Sequence, residues 1–246
     1  MSDKDQKEFG AFDEDAKDRG GYLYTKDRLS SRLANQRFSD ASFALTSFEG
    51  LRVLDLGCGD GTYTRELYDR MNPSEIVAVD PASSAVDLAE RRAGERNISF
   101  SVCSAYELPF DDQEFDIAYL RGVLHHMEEP ERAIGEALRV AKCFIAVEPN
   151  GYSPVLKMIE KLSPYHREHN EKSYWPPQLD KWVERAGGRV TVRRWANLVP
   201  CFCPDWFAKI LKKLEPLVES IPGVRHICCG VYVFLAEATR IPDKPE

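Results

Sequence analysis

Nowhere in the 246 residues is there an apolar run near the roughly 20 positions needed to cross a bilayer. The opening residues are charged and do not read as a signal peptide, so a cytoplasmic protein is expected. An excess of positive charge is missing too: 33 Lys and Arg stand against 40 Asp and Glu, the net charge is −7, and the basic residues are scattered. That removes the electrostatic footprint of a nucleic-acid binder, and no nucleic-acid partner is expected. There is no C-x-x-C pair. The seven cysteines are an odd number suited to reduced thiols, and Cys201-x-Cys203, Cys228-Cys229 and His226 have the wrong spacing for zinc, so no metal is expected.

What is present suffices for one sizeable α/β core, and two full domains would be cramped. Residues 1–19 carry alternating charges around only Phe9 and Phe12, too little apolar surface to offset the entropy of ordering, so a frayed tail is expected. Residues 20–246 then form a single domain. Within 20–48, Leu29, Leu33, Phe38 and Leu45 recur amid Arg and Ser, which predicts one or two amphipathic helices preceding the core and covering its ligand site. From residue 51 the pattern is regular: strands at 51–56, 75–80, 98–103, 115–120 and 143–148, with helices at 62–70, 83–93 and 131–140. A helix at 179–186 and strands at 189–195 and 230–236 complete seven strands. Alternating β and α predict a doubly wound, mostly parallel sheet whose strand ends line a ligand-binding edge.

Two insertions interrupt this rhythm. Residues 149–178 follow a strand's carboxyl end and should overhang the site. Residues 197–228 set Trp206, Phe207, Ile210, Leu211, Leu214 and Leu217 at helical spacing opposite Lys209, Lys212 and Lys213. The expected arrangement is a helix packed on the core; a membrane-surface helix at 205–219 is the alternative, disfavoured because such helices usually carry a larger basic face.

The sharpest local signal is the run Val53-Leu54-Asp55-Leu56-Gly57-Cys58-Gly59-Asp60-Gly61-Thr62, a strand emptying into three alternate glycines before a helix. Glycine permits positive φ and lets backbone N–H groups approach a ligand, so a nucleoside-like molecule is expected at this turn. A dinucleotide fingerprint G-x-G-x-x-G needs its third glycine at position 62, which is Thr62. A nicotinamide oxidoreductase is therefore the second choice.

Three blocks in order resemble the class I S-adenosylmethionine-dependent methyltransferases, particularly their small-molecule branch: residues 53–61 with Asp80 ending the next strand, residues 107–116, and Leu124-His125-His126-Met127 followed by Arg139-Val140. The resemblance covers about residues 50–150 and implies a Rossmann-like sheet with a last antiparallel strand and helical caps at 20–48, 149–178 and 197–228. It implies S-adenosylmethionine as cofactor, S-adenosylhomocysteine as product and a small-molecule acceptor as partner. The cofactor-binding residues it implies are Asp55, Gly57, Cys58, Gly59, Gly61, Thr62, Asp80, Pro81, Ser104, Ala105, Tyr106 and Arg121. Ser104 stands where the family often has an acid for adenine.

The chemistry of these residue types agrees. A carboxylate at a strand's end, Asp80, accepts both hydroxyls of a ribose, although Asp before Pro81 also opens helices. Asp55 inside an apolar strand is costly unless hydrogen bonds or a cation balance it. Arg121 faces either the cofactor, a substrate carboxylate or a surface partner. His126 and His125 are the candidate catalytic bases, against a role in capping or packing their loop; His166 and His169 are further candidates, and Tyr22, Tyr24, Tyr152, Tyr165, Tyr174 and Trp175 are candidate pocket aromatics. A binding module without turnover is the remaining alternative.

Overall fold

A computed structural model describes residues 28–162 and 172–239. The tail at 1–19, Tyr22, Tyr24, Tyr165, His166 and His169 lie outside these residues.

The chain begins with α1 (Leu29–Phe43), then alternates β1 (Arg52–Leu56), α2 (Thr62–Met71), β2 (Glu75–Asp80), α3 (Ser83–Ala93) and β3 (Ile98–Val102). It continues with β4 (Phe115–Arg121), α4 (Pro130–Val140), β5 (Ala141–Pro149), α5 (Pro154–Leu162), α6 (Pro176–Arg185), β6 (Gly188–Ala196), α7 (Asp205–Ser220), α8 (Val224–Cys228) and β7 (Val231–Ala238). The seven strands form one sheet in the order β3-β2-β1-β4-β5-β7-β6. All neighbouring pairs are parallel except those of β7, which runs antiparallel between β5 and β6.

Strand side chains alternate between two apolar layers, as the two-residue period requires. Leu54, Leu56, Leu120 and Phe144 face one layer with Ile134 and Leu138 of α4 and Leu179 of α6. Val53, Ile117, Tyr119 and Ile145 face the other with Leu67 of α2 and Ala41 and Phe43 of α1. Each fully buried large aliphatic contributes roughly 1.5–3 kcal/mol. Chain progression reverses at β1, with β2 on one side and β4 on the other. Their adjacent carboxyl ends open a crevice, the place such sheets offer a ligand.

Two helices differ from expectation. The buried face of α1 is Ser30, Ser31, Ala34, Ser39, Ala41, Ser42 and Phe43, while Leu33 and Phe38 are only half-buried. Small residues let this helix lie close against the sheet, and their hydroxyls are satisfied: Ser42 pairs with the Tyr119 hydroxyl at 3.0 Å, and Ser30 and Ser31 donate to the Cys201 carbonyl, each at 2.8 Å. Helix α7 turns its apolar residues outward rather than onto the core: Trp206, Ile210, Leu214 and Leu217 are exposed, whereas Ala208 and Glu215 are buried. Polar anchors decide this. Arg37 of α1 binds Glu219, and the Leu198 N–H donates to Glu215 at 3.1 Å. Among the described residues, no helix is long and apolar enough to cross a membrane.

Candidate active site

β1 ends where Gly57, Gly59 and Gly61 take φ of +80°, +53° and +71°. Gly57 has no room for a side chain, since a Cβ there would lie 2.6 Å from Val123 Cγ2. The turn uses most of its own donors. The Val79 carbonyl accepts from the N–H groups of Gly57 at 2.8 Å and Cys58 at 3.1 Å, and the Cys58 carbonyl accepts from Gly61. Gly59 N–H donates to Asp80 Oδ2 at 2.8 Å, and Thr62 N–H to Asp60 Oδ1 at 3.1 Å. The turn thus presents mainly carbonyl and carboxylate oxygen to the crevice, an arrangement suited to cationic and hydroxyl groups.

Asp80 does more than open α3. One oxygen secures Gly59 and the other accepts from Ala82 N–H at 2.9 Å, while the carboxylate stays on the wall of the crevice. Asp55 lies one layer behind, where Thr64 donates to it at 2.6 Å. Burial pushes its carboxyl up to about 7, with Asp80 adding repulsion and the Thr64 hydroxyl and Arg121 charge acting against it. Burial and then the Asp80 and Asp55 charges raise the Cys58 thiol well above its usual range, so it stays a neutral thiol.

Arg121, at the end of β4, does not make a surface ion pair. Its guanidinium donates to Ser39 Oγ at 2.7 Å and to the Asn35 carbonyl at 3.0 Å, and lies 3.8 Å from the Tyr63 ring centroid. No carboxylate among the described residues is within ion-pairing distance of it.

Beyond β4 the chain forms a short 3₁₀ turn, Leu124–His126, gathered by Glu148 at the end of β5. Glu148 Oε1 accepts from the N–H groups of Val123 at 3.1 Å and Leu124 at 2.9 Å; Oε2 accepts from His125 N–H at 3.2 Å and pairs with His125 Nδ1 at 2.8 Å. A carboxylate only accepts, so Nδ1 carries the proton and Nε2 is the basic nitrogen. The rings of His125 and His126 lie 3.8 Å apart.

These parts enclose one cavity of about 580 Å³, within the range of small-molecule sites. Of the sequence-predicted residues, Gly57, Cys58, Gly59, Asp80, Pro81, Ala105, Arg121, His125 and His126 line it. Asp55, Gly61, Thr62, Ser104 and Tyr106, and the candidate aromatics Tyr152, Tyr174 and Trp175, do not. Gly61 packs against Ala89 of α3, Ser104 accepts from Tyr106 N–H, and the Tyr106 hydroxyl accepts from Glu129 N–H, so these residues build the loops behind the wall. Sequence reasoning missed Glu148, whose signal was an acid ending an apolar strand, and Asn35, Tyr63 and Ile159, which carried none. Each of the three predicted caps supplies wall: Phe38 from the first, Leu156 and Ile159 from the second, Phe202 from the third. The described residues contain no cluster of three or more His, Cys, Asp or Glu able to hold a metal ion.

Residues 54–143 match the family described as a methyltransferase domain. A demethylmenaquinone methyltransferase of Clavibacter sepedonicus is 29% identical over 168 residues, covering 58% of this chain and 68% of that protein. Residues 54–143 are a methyltransferase domain, and the chain is similar to the class I S-adenosylmethionine-dependent methyltransferases. An uncharacterized methyltransferase of Schizosaccharomyces pombe is 36% identical to it over 110 residues, 41% of this chain and 37% of the other, so this match spans little more than a third of the relative. The magnesium protoporphyrin IX methyltransferase of Synechocystis PCC 6803, solved with bound SAH, shares the methyltransferase's fold at a TM-score of 0.65 and 16% identity, covering 96% and 100% of the two chains. The residues present suit the cofactor: a positive-φ glycine turn on the cavity wall, carboxylates at Asp60 and Asp80, and a cation at Arg121.

Proposed function

We propose that this methyltransferase methylates a small or medium, largely apolar organic acceptor at an oxygen, nitrogen or carbon atom that must lose a proton, with His125 as the base. The observation that carries this is the His125–Glu148 pair on the same cavity as the glycine turn and Asp80. S-adenosylmethionine supplies a methyl group on a sulfonium whose departure leaves a neutral thioether, so no general acid is needed. Asp80 would hold the ribose diol, Arg121 the cofactor's carboxylate end, and the glycine carbonyls its ammonium. His125 Nε2 would take the acceptor's proton while Glu148 holds the ring and balances the imidazolium charge. His126, the first choice from sequence, lies beside it. Its ring contacts that of His125, and it is His125 that the Glu148 carboxylate orients.

The walls from Phe38, Leu156, Ile159 and Phe202 favour an apolar acceptor and would exclude water from the displacement. The name of the Clavibacter relative, a demethylmenaquinone methyltransferase, supports an aromatic, lipid-soluble acceptor. We assign substrate choice to the three caps of a single domain acting in the cytoplasm.

The test is turnover of methyl-labelled S-adenosylmethionine with metabolite and lipid extracts and with hydroquinones. His125→Asn keeps an N–H for Glu148 and removes the base, and should lower kcat about a hundredfold or more at constant cofactor affinity. Full activity in that variant would remove the base from the mechanism. Cofactor binding without transfer to any acceptor would make the protein a binding module.

A further inference from the structure

Helix α7 is amphipathic and mounted with its apolar side outward. Its inward face is fixed by polar contacts: Arg37 to Glu219, Asn197 N–H to Glu219 at 2.9 Å, and Leu198 N–H to Glu215. The outer arc holds Trp206, Ile210, Leu214 and Leu217, exposed by 66%, 47%, 45% and 60%. At 100° per residue these four fall within one 80° sector, and Lys209 and Lys213, both exposed, follow along one edge of it. Glu215 and Glu219 face inward, so beyond Asp205 in the first turn the outer charges of the helix are lysines. The exposed apolar surface continues past the helix through Ile221 and Ile227.

A soluble face would not gather tryptophan, isoleucine and leucine in one stripe, and a core-facing stripe would not be pinned away from the core by ion pairs. Trp at a boundary, aliphatics on the crest and lysines able to extend past them match the requirements of a lipid–water interface. We propose that α7 is a docking helix for an anionic lipid surface, lying in the headgroup plane with Trp206, Ile210 and Leu217 inserted and Lys209 and Lys213 against lipid phosphates. Charge complementarity commits the occupant: on a chain of net charge −7, this crest is edged by positive charge. The inference stands independently of which acceptor is methylated. It gains a use from Pro200, Cys201 and Phe202, which line the cavity immediately before α7 and place the cavity wall next to the docked helix.

The full chain is tested by co-sedimentation with phosphatidylcholine vesicles with and without phosphatidylglycerol, alongside light scattering without lipid. Binding is expected to the anionic vesicles, falling as salt rises, with a blue shift of tryptophan emission that Trp206→Ser abolishes. Ile210→Glu with Leu217→Glu should eliminate binding, and Lys209→Gln with Lys213→Gln should weaken it about thirtyfold, at about 1 kcal/mol per lysine near such a surface. All four side chains are solvent-exposed, so unchanged melting temperature and cofactor affinity verify that the variants fold. Absence of wild-type binding, or binding indifferent to both pairs of substitutions, overturns the proposal. So does a dimer in light scattering that the glutamates dissociate without vesicle binding, since the face then belongs to a second copy.

Discussion

Replacing Glu148 by glutamine tests whether one carboxylate holds the Leu124–His126 turn together. The side chain is 1% exposed and receives four donors, two on each oxygen. Glutamine keeps the shape and one carbonyl oxygen, so two donors retain an acceptor and two face an amide nitrogen that is itself a donor. Hydrogen bonds to a charged group contribute about 1.5–3 kcal/mol each, and buried N–H groups left without acceptors add to the loss, giving about 3–6 kcal/mol. For a domain of this size that is a fall in Tm of about 10–20 °C. Urea unfolding at neutral pH measures the stability, and single-turnover methyl transfer measures kcat against KM. The turn carries His125, so kcat should fall at least tenfold with S-adenosylhomocysteine affinity nearly constant. A glutamine variant within about 1 kcal/mol of wild type would refute the clamp, and an unchanged kcat would refute its service to His125.

Asp80→Asn should weaken S-adenosylhomocysteine binding by about 10- to 100-fold in calorimetric titration, from loss of charge-assisted contacts to a diol worth about 1.5–3 kcal/mol; unchanged affinity would leave Asp80 with the turn alone. Asp55 holds its proton up to about pH 7 when folded and loses it near the ordinary 3.8 when unfolded. The unfolded chain therefore binds fewer protons between those values, and the stability contribution of this group falls as pH rises through that window, by on the order of 2–4 kcal/mol. Asp55→Asn should match wild type in chemical denaturation near the acid end and exceed it above neutrality, and a pH-independent gap would contradict the raised value. Gly57→Ala puts a Cβ 2.6 Å from Val123 Cγ2 at a φ of +80°. It should cost about 2–4 kcal/mol, with part restored by Val123→Ala; strictly additive losses would show that the two positions do not touch.

The alternating core was legible because its elements obey local rules. β1 and β4 read as apolar runs bounded by turns, α4 begins at Pro130, and the glycines mark the positive-φ turn. Asp80, Arg121 and the histidine pair were legible because strand ends of such a sheet share one edge. Glu148 was invisible as a partner of His125, since they are 23 residues apart and meet only through the β4–β5 pairing. Helix α1 misled because leucine and phenylalanine periodicity marks a buried face only where space allows. Here the sheet leaves room for serine and alanine, and the larger residues lie at the margins. Helix α7 misled for the opposite reason: periodicity gives the direction of an apolar face but not whether the core lies on that side, which ion pairs from Arg37 decided.

The space beside Gly57 ties the halves of the site to each other. Val123 fills the volume a side chain at Gly57 would take, and Val123 N–H is one of the four donors on Glu148. The glycine turn and the His125 turn therefore share a single packed wall, with a valine as the common brick. A displacement of the glycine turn toward Val123 would meet the segment that carries His125. A methyl group added at Gly57 would therefore be met not by the glycine turn alone but by the valine that leads into His125.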